Sequence, residues 1–189
     1  GGGANWYGLG RMVLDTDDRV VVRSNLTVAG GSQSSGTLIV PNSTTLQLGT
    51  SPSNRAGTLL IGRNVNGGSY GTLSVTGAEF TAYLGELVVG QSAGQAGNLA
   101  YATLNLAPSN TIVANHVKLG GYQGVLTVPA GGALDLGSTS APASLWVGYM
   151  DSGATFDHAA LEPTNWTLRA RLHNLGVGYN VATTYGYVD

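Results

Sequence analysis

Residues 59–77, with the sequence LLIGRNVNGGSYGTLSVTG, decide the fold of this chain. They contain two short segments, 59–61 and 73–75, with apolar residues at every second position, and in 59–61 the middle residue is apolar as well. Alternation with a period of two is typical of β-strands, and the Gly, Asn and Ser residues between the segments favour turns. The stretch therefore predicts two strands joined by a turn.

The same phrase recurs along the chain. Each copy reads Leu-x-Val/Ile-Gly, then a small polar turn, then Thr/Val-Leu-x-Val/Leu, as in the segments 87–90 and 103–106. Aligning the second half of each copy gives units of roughly 20 to 35 residues, a period typical of repeat architectures. The units begin near Thr37, Thr72, Thr103, Val125 and Thr155.

Short, similar strands at this spacing occur in sandwiches, barrels and β-solenoids. Only a solenoid requires its units to resemble one another, because each coil stacks on a copy of itself. The Gly that ends each Leu-x-Val-Gly phrase suits a tight corner, since Gly adopts positive φ without penalty. We predict an all-β fold, a right-handed parallel β-solenoid with short terminal caps. A β-sandwich or jelly roll is the alternative.

The repeat also predicts the division of the chain. We assign residues 1–24 to an N-terminal strand or cap, 25–154 to the solenoid and 155–189 to a C-terminal cap or docking strands. The acidic turn at residues 15–18 lies between two apolar segments, 12–14 and 20–22. This pattern predicts a hairpin in the N-terminal segment.

Residues 59–77 resemble the repeats of autotransporter passenger domains and related bacterial surface β-helices. Those proteins repeat Leu-x-Ile/Val-Gly, a Gly/Asn/Ser turn and Gly-Thr-Leu-x-Val-x-Gly, and the resemblance covers roughly residues 26–150. It implies a β-helix and an extracellular or cell-surface location. The repeat serves adhesins, matrix proteins and enzymes alike, so the resemblance implies no single activity.

The composition excludes several classes of protein. Asp, Glu, Lys and Arg make up 10% of the 189 residues, which is too few for a helical bundle. The net charge of −2 gives no broad attraction to nucleic acid. The absence of Cys excludes disulfides and thiolate metal sites. The longest apolar runs are far too short to span a bilayer, so we expect no membrane-spanning segment.

No catalytic constellation stands out. Glu86 and Asp135 are the best candidates for a carboxylate pair from neighbouring coils, but no shared register connects them, and solvated strand residues are the alternative. The acidic turn at 15–18 lacks the Gly and terminal Glu of an EF-hand calcium loop. The three histidines lie far apart in sequence. We therefore predict no catalytic, cofactor-binding or metal-binding residues, and no enzymatic activity.

Aromatic residues near the two termini are the most function-like feature. They can serve as hydrophobic caps or as contacts between subunits. We predict a non-enzymatic extracellular structural protein, either a self-assembling subunit of a surface filament, sheath or matrix, or an adhesin stalk. The alternatives are a carbohydrate-acting β-helix lyase or hydrolase and a carbohydrate-binding adhesin module. The expected partners are further copies, in a homo-oligomer or head-to-tail polymer, and a carbohydrate or cell surface. The candidate contact residues are Trp6, Tyr7, Tyr179, Tyr185 and Tyr187.

Overall fold

The computed structural model describes residues 8–31, 33–64, 67–77, 79–92, 99–149, 159, 161 and 163–178. Across these residues the regular structure consists of β-strands alone. In chain order they are β1 (Gly8–Val13), β2 (Arg19–Val22), β3 (Leu26–Val28), β4 (Ser34–Ile39), β5 (Thr45–Leu48), β6 (Thr58–Asn64), β7 (Gly68–Ser74), β8 (Glu79–Ser92), β9 (Leu99–Asn105), β10 (Ser109–Gly120), β11 (Gln123–Thr127), β12 (Ala133–Leu136), β13 (Ala143–Tyr149), β14 (Thr167–Ala170) and β15 (Leu172–Val177).

The strands stack in parallel on three faces. The first face is the sheet β1-β4-β7-β9-β11. The second contains β2, β5, β12 and β14, together with the first halves of β8 and β10. The third contains β3, β6, β13 and β15, together with the second halves of β8 and β10. The chain therefore runs along the three faces in turn. Each time it returns to the first face, it begins the next coil of the stack.

This arrangement confirms the predicted β-solenoid. Five coils are complete, from β1–β3 to β11–β13, and β14 and β15 belong to a sixth. Residues aligned between paired strands of neighbouring coils lie 22 to 35 positions apart, as the repeat predicted. A sandwich would pair its strands mainly antiparallel, whereas every pair of named strands here is parallel. The right-handedness of the coil stays a prediction.

Like residues stack in ladders to form the core. On the first face Leu38, Leu73, Leu104 and Leu126 occupy equivalent positions in successive coils, and all four are buried. Burying a leucine side chain contributes about 1.5–3 kcal/mol, so these ladders are the main stabilising element. The alternation of apolar residues that predicted the strands thus also selects the side chains that face the axis.

Glycine turns the chain at the corners. Gly90, which ends the phrase Leu87-Val88-Val89-Gly90, has a φ of +79° and lies against the backbone of the next coil. The residues that end the other copies behave in the same way, and the expected role of this Gly is confirmed. In the compressed copy the positive φ falls on Gly121 and not on Gly120.

The solenoid extends beyond the predicted limits of residues 25 and 154. The strands β1 and β2 pair in register with β4 and β5, and β14 and β15 continue the ladders of β12 and β13. The predicted hairpin is wrong, because β1 and β2 do not pair with each other. Asp15 and Asp18 instead form a corner turn, in which the Asp18 carboxylate accepts a hydrogen bond from the Asp15 amide at 3.0 Å.

Candidate functional site

The five predicted contact residues, Trp6, Tyr7, Tyr179, Tyr185 and Tyr187, lie outside the described residues. Their role in subunit contact stays a prediction. The described strands closest to them in sequence are β1 at the N-terminus and β15 at the C-terminus. These strands belong to the two ends of the solenoid, so the ends are the first surfaces to consider.

The N-terminal end exposes side chains that would be core residues in any inner coil. Met12 is aligned with the buried Leu38, yet 58% of its surface is accessible. Val20 and Val22 continue the ladders of Leu46 and Leu48 and are only partly buried. Each strand of this coil has a described partner on one side only. The end of the stack therefore combines apolar side chains with a strand edge that has no partner among the described residues.

The C-terminal end repeats this pattern. Leu175 and Val177 are aligned with Leu145 and Val147, but they are 64% and 60% exposed. Within the described residues, β14 and β15 also pair on one side only. Both ends of the solenoid thus present the surfaces by which its own coils recognise each other.

A charged and aromatic cluster lies on the outer surface of the third face. Lys118 Nζ is 2.5 Å from Glu86 Oε1 and 4.5 Å from the centre of the Tyr149 ring. Partial burial lowers the pKa of Lys118, but the hydrogen bond and charge of Glu86, helped by Tyr149, outweigh this effect and raise it above its ordinary value. Lys118 is therefore protonated at neutral pH and already paired across the coils, so it does not act as a base there.

The structure does not bring Glu86 and Asp135 together. Glu86 lies on the third face beside Lys118, whereas Asp135 lies on the second face and forms a two-pronged ion pair with Arg169 at 2.5 and 2.9 Å. Among the described residues there is no group of three His, Asp or Glu side chains that could hold a metal ion. The acidic turn uses its carboxylates to accept backbone hydrogen bonds, as at Thr16.

The ion pair of Asp135 predicts a pH effect on stability. The hydrogen bond from Arg169 holds the pKa of Asp135 below its ordinary value, with its charge adding to the effect and partial burial opposing it. A carboxyl group with a depressed folded-state pKa stabilises the fold above its unfolded pKa, and this contribution disappears as the pH falls through the folded-state value. We expect Asp135→Asn to lower the thermal midpoint slightly at neutral pH, because the pair is exposed.

In thermal melts followed by circular dichroism, the difference between wild type and Asp135→Asn should be constant above about pH 4 and disappear in stronger acid. Thr111→Asn, at the preceding position of the same outward ladder, is the matched control. A difference that stayed the same down to about pH 2 would contradict the role given to the ion pair.

A column of aromatic rings stands on the outer surface of the first face. Tyr70 and Tyr101 are aligned in neighbouring coils, with ring centres 4.8 Å apart and planes within 5° of parallel. The Tyr122 ring meets Tyr101 edge-on at 5.1 Å. Partial burial raises the pKa of Tyr101, and the neighbouring phenols Tyr122 and Tyr70 add to the shift. The repeated phrase Tyr-x-Thr-Leu at 70–73 and 101–104 is the sequence signal that could have identified this column.

Two hollows among the described residues contain few reactive groups. A hollow of about 550 Å³ at the corner between the first and second faces is lined by turn residues and contains one carboxylate, Glu79. A second hollow of about 280 Å³ lies between β11 and Trp166 and has no charged residue in its lining. Neither provides the two carboxylates that glycoside hydrolysis needs.

Comparisons with protein-family models, with characterised proteins and with solved structures find no match to this chain. No helix with the length and hydropathy of a membrane span occurs in the part of the chain that the structure describes. Functional inference therefore depends on the geometry of the solenoid and its surfaces.

Proposed function

We propose that this chain is a non-enzymatic structural protein that assembles end to end, as a subunit of an extracellular filament, sheath or matrix at a cell surface. The observation that carries the proposal is that both ends expose axis-facing apolar side chains beside strand edges to which the described part of the chain adds no partner. Head-to-tail stacking of identical subunits through two different surfaces forms an open polymer and not a closed ring.

The registers of the two ends are compatible. If β2 of a second copy continued the second face beyond β14, Leu168 would meet Val20 and Ala170 would meet Val22. On the third face, Leu175 and Val177 would meet Leu26 and Val28 of that copy. Each contact repeats an apolar pair of the kind found between coils inside the solenoid.

Two like charges make this end-to-end contact depend on the salt concentration. The same register brings Arg171 over Arg23, and both are exposed. Repulsion between exposed like charges is weak and is screened by salt. End-to-end association should therefore strengthen as the ionic strength rises, which is the reverse of an association driven by opposite charges.

Leu175→Glu provides the test of the assembly. A carboxylate at this position would lose its hydration in the contact without a partner, so we expect at least a tenfold rise in the protein concentration needed for assembly. Since Leu175 is 64% exposed, the fold of the single subunit should be little affected. Sedimentation velocity at increasing concentration measures the effect.

Thr127→Glu is the matched control, because Thr127 is exposed, faces outward and lies in the fifth coil, one coil before β14 and β15. It should assemble like the wild type. A wild-type protein that stayed monomeric at every concentration, or a Leu175→Glu variant that polymerised normally, would overturn the proposal.

The carbohydrate-acting alternative has less support among the described residues. Its best candidate acids, Glu86 and Asp135, lie on different faces, and each is engaged by a cation. A carbohydrate-binding role has one specific observation in its favour, the tyrosine column on the first face.

A further inference from the structure

The tyrosine column on the first face is interrupted at one position. In successive coils the equivalent outward residues are Leu9, Ser35, Tyr70, Tyr101 and Gln123. Tyr122 covers the far side of Tyr101, and Tyr70 covers its near side. On the side away from Tyr101, the residue aligned with Tyr70 is Ser35, whose side chain is much smaller than a ring. Tyr70 is accordingly 54% exposed.

The space over Ser35, between Leu9 and Tyr70, is wide enough for one aromatic or sugar ring. Tyr70 and Tyr101 show that rings in adjacent coils stack at 4.8 Å, the spacing of the strands themselves. Leu9 lies two coils from Tyr70, so about 9.6 Å separates their backbones, with Ser35 as the floor between them. A single flat ring placed over Ser35 would contact Tyr70 on one side and Leu9, which is 82% exposed, on the other.

Polar groups surround this slot, which is bounded by Leu9, Ser35 and Tyr70. Thr37 and Thr72 face outward two residues along the neighbouring strands. Gln33 precedes β4, and its side chain packs where a Cβ at Gly67 would be, three residues before Tyr70. Hydroxyl and amide groups beside an aromatic face are the usual components of a sugar-binding site, because they pair with hydroxyls while the ring packs on the C–H face.

One cation lies on the same strand as Leu9. Arg11 occupies the outward position two residues after Leu9, and it is the one charged residue among the outward positions of the described strands of this face. A guanidinium binds a carboxylate with two parallel hydrogen bonds. A nucleic acid would require several cations along its backbone, and this face does not provide them.

We propose that the slot binds a pyranose ring of an acidic glycan, with the ring stacked between Tyr70 and Leu9 and a uronate carboxylate held by Arg11. The site lies on the side of the solenoid, so it would remain open in an end-to-end polymer. The inference does not depend on the proposed assembly.

Titration with tetragalacturonate and with the neutral cellotetraose tests the proposal. The Leu175→Glu background keeps binding separate from polymerisation, and isothermal calorimetry gives the affinities. We expect saturable binding, tighter for the uronate. Tyr70→Ala should weaken it at least tenfold, while Tyr70→Phe should retain most of it because the ring remains. Arg11→Gln should reduce the uronate affinity to that of the neutral sugar.

Ser35→Tyr is the decisive variant. It would fill the slot with a third ring and complete the column, so the fold should be kept while binding is abolished. Thr127→Tyr places the same side chain on the same face outside the column and should bind normally. No saturable binding by the parent protein, or full affinity in Tyr70→Ala or Ser35→Tyr, would refute the site.

Discussion

Gly90→Ala should strongly destabilise the solenoid, although it adds only one methyl group. The backbone at Gly90 has a φ of +79°, which costs a non-glycine residue about 1 kcal/mol. An added Cβ would also lie 2.1 Å from the carbonyl oxygen of Gly120 and 3.3 Å from the Cα of Gly124. These are backbone atoms of the next coils, so the clash can be relieved only by separating the stack. We expect a loss above about 3 kcal/mol in the free energy of unfolding.

Gly131→Ala separates the cost of the positive φ from the cost of the clash between coils. Gly131 has a matching φ of +77°, but no heavy atom lies within 4 Å of its added Cβ. It should therefore show the conformational penalty alone, about 1 kcal/mol. Denaturant unfolding of both variants measures the difference. Equal losses in the free energy of unfolding would contradict this explanation, because the close contact between coils at Gly90 would then add nothing to the conformational penalty.

Asn110→Leu should be strongly destabilising, although leucine is the usual residue at that level of the core. Asn110 occupies the ladder of Leu46, Phe80 and Leu134, and only 2% of its surface is exposed. Its Oδ1 accepts a hydrogen bond from the Ala107 amide at 2.9 Å, and its Nδ2 donates to the Ala107 carbonyl at 2.6 Å. Nδ2 also donates to the carbonyl of Ala133, at 3.1 Å.

Leucine would leave the two backbone groups of Ala107 without these partners in a buried corner. Each buried unsatisfied group costs about 1–3 kcal/mol, and the added apolar burial returns only part of this. We expect a net loss of about 2 kcal/mol or more in the free energy of unfolding. Asn105→Leu, at an outward position where the amide accepts one bond from Thr127, should cost under about 1 kcal/mol. Unchanged or increased stability in Asn110→Leu would show that the ladder tolerates leucine there.

These two residues show what the sequence does and does not reveal. Gly90 ends a repeated phrase, and its corner role follows from the repeat alone. Asn110 breaks the apolar alternation, and its function becomes visible only when the backbone of the corner at Ala107 is known. The pairing of Glu86 with Lys118 likewise depends on the register between coils, which the variable length of the turns hides. The hairpin error arose because an acidic turn between apolar segments suits a solenoid corner equally well.

The division of the chain was affected by the same ambiguity. The first two strands of the N-terminal coil, β1 and β2, do not carry the repeated phrase, so the repeat alone left them outside the predicted solenoid. The strands of both end coils nevertheless follow the ladders, as Val20 and Leu168 do. The tyrosine column could have been predicted from the sequence, since Tyr70 and Tyr101 occupy the same position in their repeats. Recognising the slot at Ser35 required the structure, because only the register between coils shows that Leu9 and Tyr70 lie on its two sides.

Fibre diffraction from aligned, concentrated wild-type protein tests the central claim most directly. If the last coil of one copy stacks on the first coil of the next, the strands stay perpendicular to the filament axis throughout. End-to-end stacking predicts a meridional reflection near 4.8 Å and a subunit repeat of roughly 29 Å for six coils. A protein that forms no filaments at high concentration, or filaments whose strand spacing does not lie along the fibre axis, would contradict it.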